Sequence, residues 1–140
     1  MSVIYVARSA KFGKWASDVG LSKHVFKVGV SDGDPKPLIE QGWGGETDWA
    51  LVKQQEVEGL TEEDVIARLA RKAKQVDPVY YPRLRGAAGV FKVLPEHVEN
   101  HILVGRVMQN LSERIELKLK PVDFADYLIG NAVRLGAPAA

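Results

Sequence analysis

The chain has 140 residues, 46% of them hydrophobic and 26% charged, with a formal net charge of +1. This balance predicts one globular domain, residues 1–140, whose core needs no covalent staple. Disulfides, thiolate zinc sites and cysteine nucleophiles are excluded because there is no cysteine, which favours a cytoplasmic protein. No apolar run is long enough to predict a membrane span, and no signal peptide is visible.

The first part of the chain predicts a small antiparallel sheet. β-branched and aromatic residues dominate residues 2–8 and 24–30, which are therefore predicted strands. Residues 9–20 are predicted to be a long hairpin loop that lets these strands pair antiparallel. A short helix is expected over residues 35–41, since proline is tolerated at the first helical position. Residues 49–57 are a predicted third strand.

The clearest helical pattern in the chain begins at residue 59 and continues to residue 75. Thr61 and Asp64 match a capping box, in which side chains bind the free N–H groups of the first turn. Acidic residues follow at the start and basic residues at the end, as the helix dipole favours. The remaining predicted elements are a loop at 78–88, a strand at 89–94, a helix at 95–111, an edge strand at 115–119 and a helix at 122–135.

Basic residues concentrate between Val65 and Lys92, where seven cations accompany a single acid, Asp77. Such a surface is typical of proteins with a polyanionic partner, although a solvated helix face would look the same. Contacts of this kind go mostly to phosphate groups. The predicted nucleic-acid-binding residues are Arg68, Arg71, Lys72, Arg83 and Arg85. Trp15, Trp43 and Tyr80 lie in predicted loops, where they stack on unpaired bases or pack locally.

His97 and His101 are four residues apart on a predicted helix and would share one face. Two imidazoles in this arrangement can bind one metal ion. The intervening Glu99 does not stand at the offset of the zinc-protease motif, and no third ligand is apparent in the sequence. Two polar histidines on a helix surface are therefore the favoured interpretation.

Three short motifs occur in a defined order along the predicted elements. Ile4-Tyr5 lies in the first strand, Lys27-Val28-Gly29 in the second, and Glu62 opens the capped helix. The sequence GVFKV follows at residues 89–93. This order resembles the GIY-YIG nuclease superfamily, and is closest to its phage and bacterial branch with a Lys-Ile-Gly motif. The resemblance covers residues 3–93 and leaves residues 94–135 as a C-terminal helix–strand–helix extension.

The resemblance implies an α+β fold in which helices flank a small, mainly antiparallel sheet. It also implies a catalytic set of Tyr5, Lys27 and Lys36, with Glu62 holding a divalent cation such as Mg²⁺. Lys27 stands where the family's second tyrosine is expected. The short helix lacks the family's arginine, and its only cation, Lys36, does not offer the planar fork of a guanidinium.

Each of these residues also has a purely structural interpretation. Tyr5 suits a core position in a strand, and Lys27 suits the exposed side of a strand. Glu62 suits the positive end of the helix dipole without any metal. Gly29 then does no more than end its strand.

The sequence therefore predicts a GIY-YIG-like domain that binds nucleic acid and whose metal-dependent endonuclease activity is weak or lost. A fully active Mg²⁺-dependent endonuclease remains one alternative. The other is a protein-interaction accessory of phage or mobile-element type, whose basic face meets an acidic protein partner. The choice between DNA and RNA, and the oligomeric state, are left open.

Overall fold

The computed structural model describes residues 2–21, 23–43, 46–71, 73–76, 81, 88–108 and 119–134. It is an α+β fold in which helices flank one five-stranded antiparallel sheet, so the predicted fold class is confirmed. In chain order the elements are β1 (Ser2–Arg8), α1 (Ala10–Asp18), β2 (Val25–Asp32), α2 (Lys36–Gln41), β3 (Ala50–Val57), α3 (Glu62–Leu69), β4 (Lys74–Gln75), β5 (Val90–Lys92), α4 (Pro95–Met108) and α5 (Pro121–Arg134).

The strands follow the order β3-β1-β2-β5-β4 across the sheet, and every neighbouring pair is antiparallel. Along the β1–β2 pair, Tyr5 lies directly opposite Gly29. The β2 residues that pair with β5 are Val25, Phe26 and Lys27, at the beginning of β2. Helix α3 packs against β2, and its first residue, Glu62, lies close to Gly29 in the middle of the sheet.

Helix α1 replaces the hairpin loop that the sequence predicted over residues 9–20. The Ser9 hydroxyl caps this helix by accepting a hydrogen bond from the Phe12 N–H at 3.0 Å. Phe12 and Ala16, four residues apart, form its buried face. A Cβ on Gly13 would lie 3.2 Å from the Lys23 carbonyl oxygen. The chain therefore passes close to α1 at Gly13 and leaves little room there for a side chain.

The predicted capping box at the start of α3 is confirmed. The Thr61 hydroxyl accepts from the Asp64 N–H at 3.1 Å, and the Asp64 carboxylate accepts from the Thr61 N–H at 3.4 Å. The helix ends at Leu69, however, and does not continue to residue 75. The chain turns after Leu69, and Lys74 and Gln75 then pair with β5. These two residues form β4, which the sequence did not predict.

Alternate residues of β1 enter two cores, one on each face of the sheet. Ile4 and Val6 pack with α3 and α5, whereas Tyr5 and Ala7 pack with Phe12 and other residues on the face that carries α1 and α2. The first core also includes Phe26, Val28, Val65, Leu69, Phe91, Phe124 and Leu128. Both faces of β1 and β2 are thus covered, which agrees with their nearly continuous apolar sequences.

The C-terminal part of the chain contributes to the first core. Helix α5 matches the predicted helix at 122–135 within one residue at each end, and its Phe124 and Leu128 are buried. Most of the predicted edge strand at 115–119 lies outside the described residues, as does the greater part of the predicted loop at 78–88. None of the described helices combines the length and the apolar character needed to cross a membrane.

Candidate functional site

Tyr5, Lys27, Gly29, Trp43 and Glu62 lie together beside β2, and we refer to them as the Lys27–Glu62 cluster. Directly opposite residues of an antiparallel pair project to the same face of the sheet, so Tyr5 lies over Gly29. A Cβ on Gly29 would lie 2.5 Å from the Tyr5 hydroxyl oxygen and 2.6 Å from Oε1 of Glu62. The hydroxyl and the carboxylate therefore meet at a point that only glycine leaves open.

Lys27 is 3% exposed, so the expectation that it lies on the exposed side of a strand is wrong. Its Nζ lies 3.5 Å from Oε1 of Glu62 and donates a hydrogen bond to the Val28 carbonyl at 3.2 Å. The same atom is 5.3 Å from the centroid of the Trp43 ring. A Cβ on Gly89 would lie 3.0 Å from Nζ, so this second glycine also makes room for the ammonium group.

Burial dominates the electrostatics of the cluster. It lowers the pKa of Lys27, and the Glu62 carboxylate partly opposes this change. Burial, and then the negative charge of Glu62, raise the pKa of Tyr5 far above its ordinary value. The Tyr5 hydroxyl consequently keeps its proton at neutral pH.

Glu62 is the solvent-facing member of the cluster, since 46% of its side chain is exposed. It is the first residue of α3, directly after the cap at Thr61. No group of three or more metal-ligating side chains occurs among the described residues. Mg²⁺ usually binds one or two carboxylates with phosphate and water oxygens, but this carboxylate already faces the Lys27 ammonium. The residues of the cluster therefore do not fit a preformed site for a divalent cation.

Lys36, the predicted cation of the short helix, is exposed at the beginning of α2. Its backbone N–H donates to Oδ1 of Asp34 at 3.0 Å, and its side chain forms no ion pair within the described part of the chain. Trp43 follows α2 and is the member of the cluster that this part of the chain supplies. Its ring stacks on Tyr5 with centroids 6.0 Å apart, and its carbonyl accepts from Trp49 Nε1 at 2.9 Å. Trp43 thus packs locally, one of the two roles that the sequence allowed.

Of the predicted nucleic-acid-binding residues, Arg68 and Arg71 are described, and Lys72, Arg83 and Arg85 lie outside the described residues. Arg71 is exposed. Arg68 is partly buried, and its Nη1 donates to the Ala132 carbonyl at 3.1 Å. This bond joins α3 to the last turn of α5, so Arg68 has a structural role in addition to the predicted one.

The two histidines of α4 have different surroundings. His97 is exposed, whereas the His101 ring contacts the edge of Tyr127 with centroids 5.6 Å apart. Neither histidine belongs to a group of three or more metal-ligating side chains among the described residues.

No family model matches the chain, and comparisons with curated proteins and with solved structures give no match either. In the Lys27–Glu62 cluster the Tyr5 hydroxyl and the half-exposed Glu62 carboxylate meet at Gly29, and the buried Lys27 ammonium lies 3.5 Å from Oε1 of Glu62.

Proposed function

We propose that the chain is a nucleic-acid-binding domain of GIY-YIG type in which metal-dependent endonuclease activity is weak or lost. One observation carries the proposal: Tyr5 and Gly29 lie opposite each other on adjacent strands, and Glu62 from α3 meets both. Three motifs that are far apart in the sequence thus converge on one site. The resemblance requires this convergence, and a sheet with a different strand order would have separated them.

The charges of the cluster account for the weak or lost cleavage. The Lys27 ammonium and the Glu62 carboxylate largely neutralise each other, so the pair offers little net attraction to a phosphodiester. Trp43 covers both Tyr5 and Lys27. No arginine from α2 is available to stabilise the charge that develops on phosphorus, and Lys36 makes no ion pair with the cluster. The cluster therefore positions a backbone phosphate better than it cleaves one.

Affinity for nucleic acid then comes from the basic residues between Val65 and Lys92. Of these, Arg71 is described and exposed. Phosphate contacts release counterions, so binding must weaken as salt is added and must depend little on base sequence. A protein that uses its basic face only for one folded acidic partner has no such general affinity.

Binding is tested by fluorescence anisotropy with labelled 5′-hydroxyl oligonucleotides, single- and double-stranded, of DNA and of RNA. We expect binding that falls steeply with salt and is weaker in Arg71→Gln. The matched control is Lys14→Gln, which removes an exposed cation from α1 and should retain the wild-type affinity. Binding that is absent at low salt, or that does not respond to salt, would contradict the proposal and favour the protein-interaction alternative.

Cleavage is tested separately with supercoiled plasmid and Mg²⁺ or Mn²⁺. We expect little or no nicking by the wild-type chain, and none by Tyr5→Phe or Glu62→Ala. Rapid nicking that both substitutions abolish would show an active nuclease and contradict the proposed loss of activity. Nicking that survives both substitutions would show that the Lys27–Glu62 cluster is not the site.

A further inference from the structure

A cavity of about 460 Å³ lies at the end of the sheet, where β1 finishes and β2 begins. One side is formed by α1, and the other by the beginning of α5 and the residues that lead into β2. None of its lining residues belongs to the Lys27–Glu62 cluster or to the basic segment between Val65 and Lys92. The titratable residues that line it are Arg8, Lys14, Asp18, Lys23 and His24.

The sheet directs Arg8 and His24 to the same side, towards α5. Along β1, Val6 enters the core that contains α5, so Arg8, two residues later, projects to the same face. Phe26 of β2 also faces α5, since its ring stacks on Phe124 with centroids 5.2 Å apart. The His24 ring stacks on Phe124 as well, at 4.8 Å. Arg8 and His24 therefore line the cavity from the face of the sheet that α5 covers.

Two lysines line the cavity from its other side. Lys14 lies on one face of α1 with Ala10, Gly13 and Ser17, and all four residues line the cavity. Lys23 is held beside this face, because its carbonyl oxygen would lie 3.2 Å from a Cβ on Gly13. Both lysines are exposed, and within the described part of the chain neither forms an ion pair.

The positive charges near His24 act on the imidazole together. Burial lowers the pKa of His24, and the charges of Lys23 and Arg8 lower it further. Both cations therefore lie near this ring, which is mostly uncharged at neutral pH. Asp18 is the last residue of α1, about 12 Å along the helix from Ala10, which lies at the end that adjoins Arg8. An anion between Arg8 and Lys23 would be attracted by both cations.

The rest of the cavity wall is apolar. Phe26 and Phe124 are buried beneath it, and Leu119 and Pro121 are partly exposed where α5 begins. A complementary ligand therefore joins a negatively charged group to a compact apolar body. The volume lies within the range of roughly 300–1,000 Å³ found for small-molecule sites.

We propose that this cavity binds a phosphomonoester of a small, mainly apolar alcohol, with the phosphate between Arg8 and Lys23. Such a group carries a charge of about −1.5 to −2 at neutral pH and has three acceptor oxygens. The planar fork of Arg8 donates to two of these oxygens, and Lys23 and Lys14 add point charges. A carboxylate carries a single charge and uses the same cations less well. The 5′-hydroxyl strands that test nucleic-acid binding contain no phosphomonoester, so the two proposals are independent.

The test is an NMR titration of the full chain at low salt with phenyl phosphate, inorganic phosphate and benzoate. The Cε1–H signal of His24 reports binding, and exposed His97 of α4 is the internal control. We expect phenyl phosphate to shift the His24 signal saturably, to leave His97 unchanged, and to bind more tightly than the other two ligands. The bound phosphate should also raise the pKa of His24, because it offsets the charges of Lys23 and Arg8.

Arg8→Gln and Lys23→Gln should each weaken phenyl phosphate binding by about tenfold. Both residues are exposed, so each variant should keep the wild-type free energy of unfolding, which urea unfolding checks. The matched control is Lys11→Gln, which removes an exposed cation of α1 that does not line the cavity and should leave binding unchanged.

The inference would be overturned by the absence of a saturable shift at His24, or by equal shifts at His24 and His97. Wild-type affinity in either variant would overturn it as well. Tighter binding of benzoate than of phenyl phosphate would show a carboxylate site and would also contradict it. None of these results bears on the proposed function, which is tested through Arg71, Tyr5 and Glu62.

Discussion

Substitution of Gly29 by alanine is the most direct test of the Lys27–Glu62 cluster. The added methyl group would lie 2.5 Å from the Tyr5 hydroxyl oxygen, 2.7 Å from Tyr5 Cζ and 2.6 Å from Oε1 of Glu62. All three distances are far shorter than van der Waals contact. Tyr5 is 2% exposed and lies under Trp43, so it has little room to retreat. Glu62 is half-exposed and would rotate into solvent.

Two costs follow from this displacement. Overpacking of the buried tyrosine costs about 1–3 kcal/mol. When Glu62 moves away, the buried Lys27 ammonium also loses its carboxylate partner. Breaking a fully buried ion pair is strongly destabilising, but only part of that free energy is lost here because Glu62 already faces water. Gly29 lies within the extended strand β2, so no backbone strain is added. We therefore expect the free energy of unfolding to fall by about 2–3 kcal/mol.

Urea unfolding followed by tryptophan fluorescence measures this change, because Trp43 stacks on the displaced tyrosine. The matched control is Gly130→Ala in α5, where the new methyl group would meet only His101 Cε1, at 3.9 Å. That substitution should leave stability unchanged or raise it by up to about 1 kcal/mol, because alanine favours helix. A Gly29→Ala variant as stable as the wild type would refute the close approach of Tyr5 and Glu62.

Three further outcomes are expected. Burial lowers the pKa of Lys27 in the folded chain below its ordinary 10.5, so the unfolded chain binds the Lys27 proton more tightly than the folded chain does. The free energy of unfolding should therefore rise as the pH is raised towards 10.5. Urea unfolding of Lys27→Met over the same pH range should show a smaller rise. The pKa of Tyr5 is raised in the folded chain, so the wild type should lose stability when the pH exceeds 10.0, the ordinary pKa of tyrosine. Thermal unfolding of Tyr5→Phe at alkaline pH should lack this loss. Thr61→Ala should cost about 1 kcal/mol of the free energy of unfolding by removing the cap of α3, whereas Thr47→Ala, in an exposed loop, should not.

The sequence predicted those elements whose signals are local. The strand Ser2–Arg8 is marked by its own β-branched and aromatic residues, and the start of α3 by Thr61 and Asp64. In both places the determining residues lie within one turn or one strand of each other. The antiparallel pairing of β1 with β2 also followed from local features, because the two strands are neighbours in the sequence and pair as predicted.

The elements that were missed depend on distant contacts. β4 has two residues, Lys74 and Gln75, and becomes a strand only through its pairing with β5. Two residues carry no measurable periodicity. Helix α1 has one buried face, formed by Phe12 and Ala16. Gly13 lies between these two residues and weakens the helical pattern of the sequence. The reason for that glycine is a backbone oxygen ten residues away, at Lys23, which no local pattern contains.

Lys27 shows the same limit for function. Its motif placed it on the correct strand, but its burial depends on Trp43, Glu62 and Gly89, which come from three separate parts of the chain. That burial changes the chemistry, because an exposed lysine would attract phosphate, whereas this one is largely neutralised by a carboxylate. The order of the motifs therefore predicts where the side chains meet. Only the folded chain shows that the charges of Lys27 and Glu62 largely cancel. Affinity for a polyanion must therefore come from cations outside the cluster.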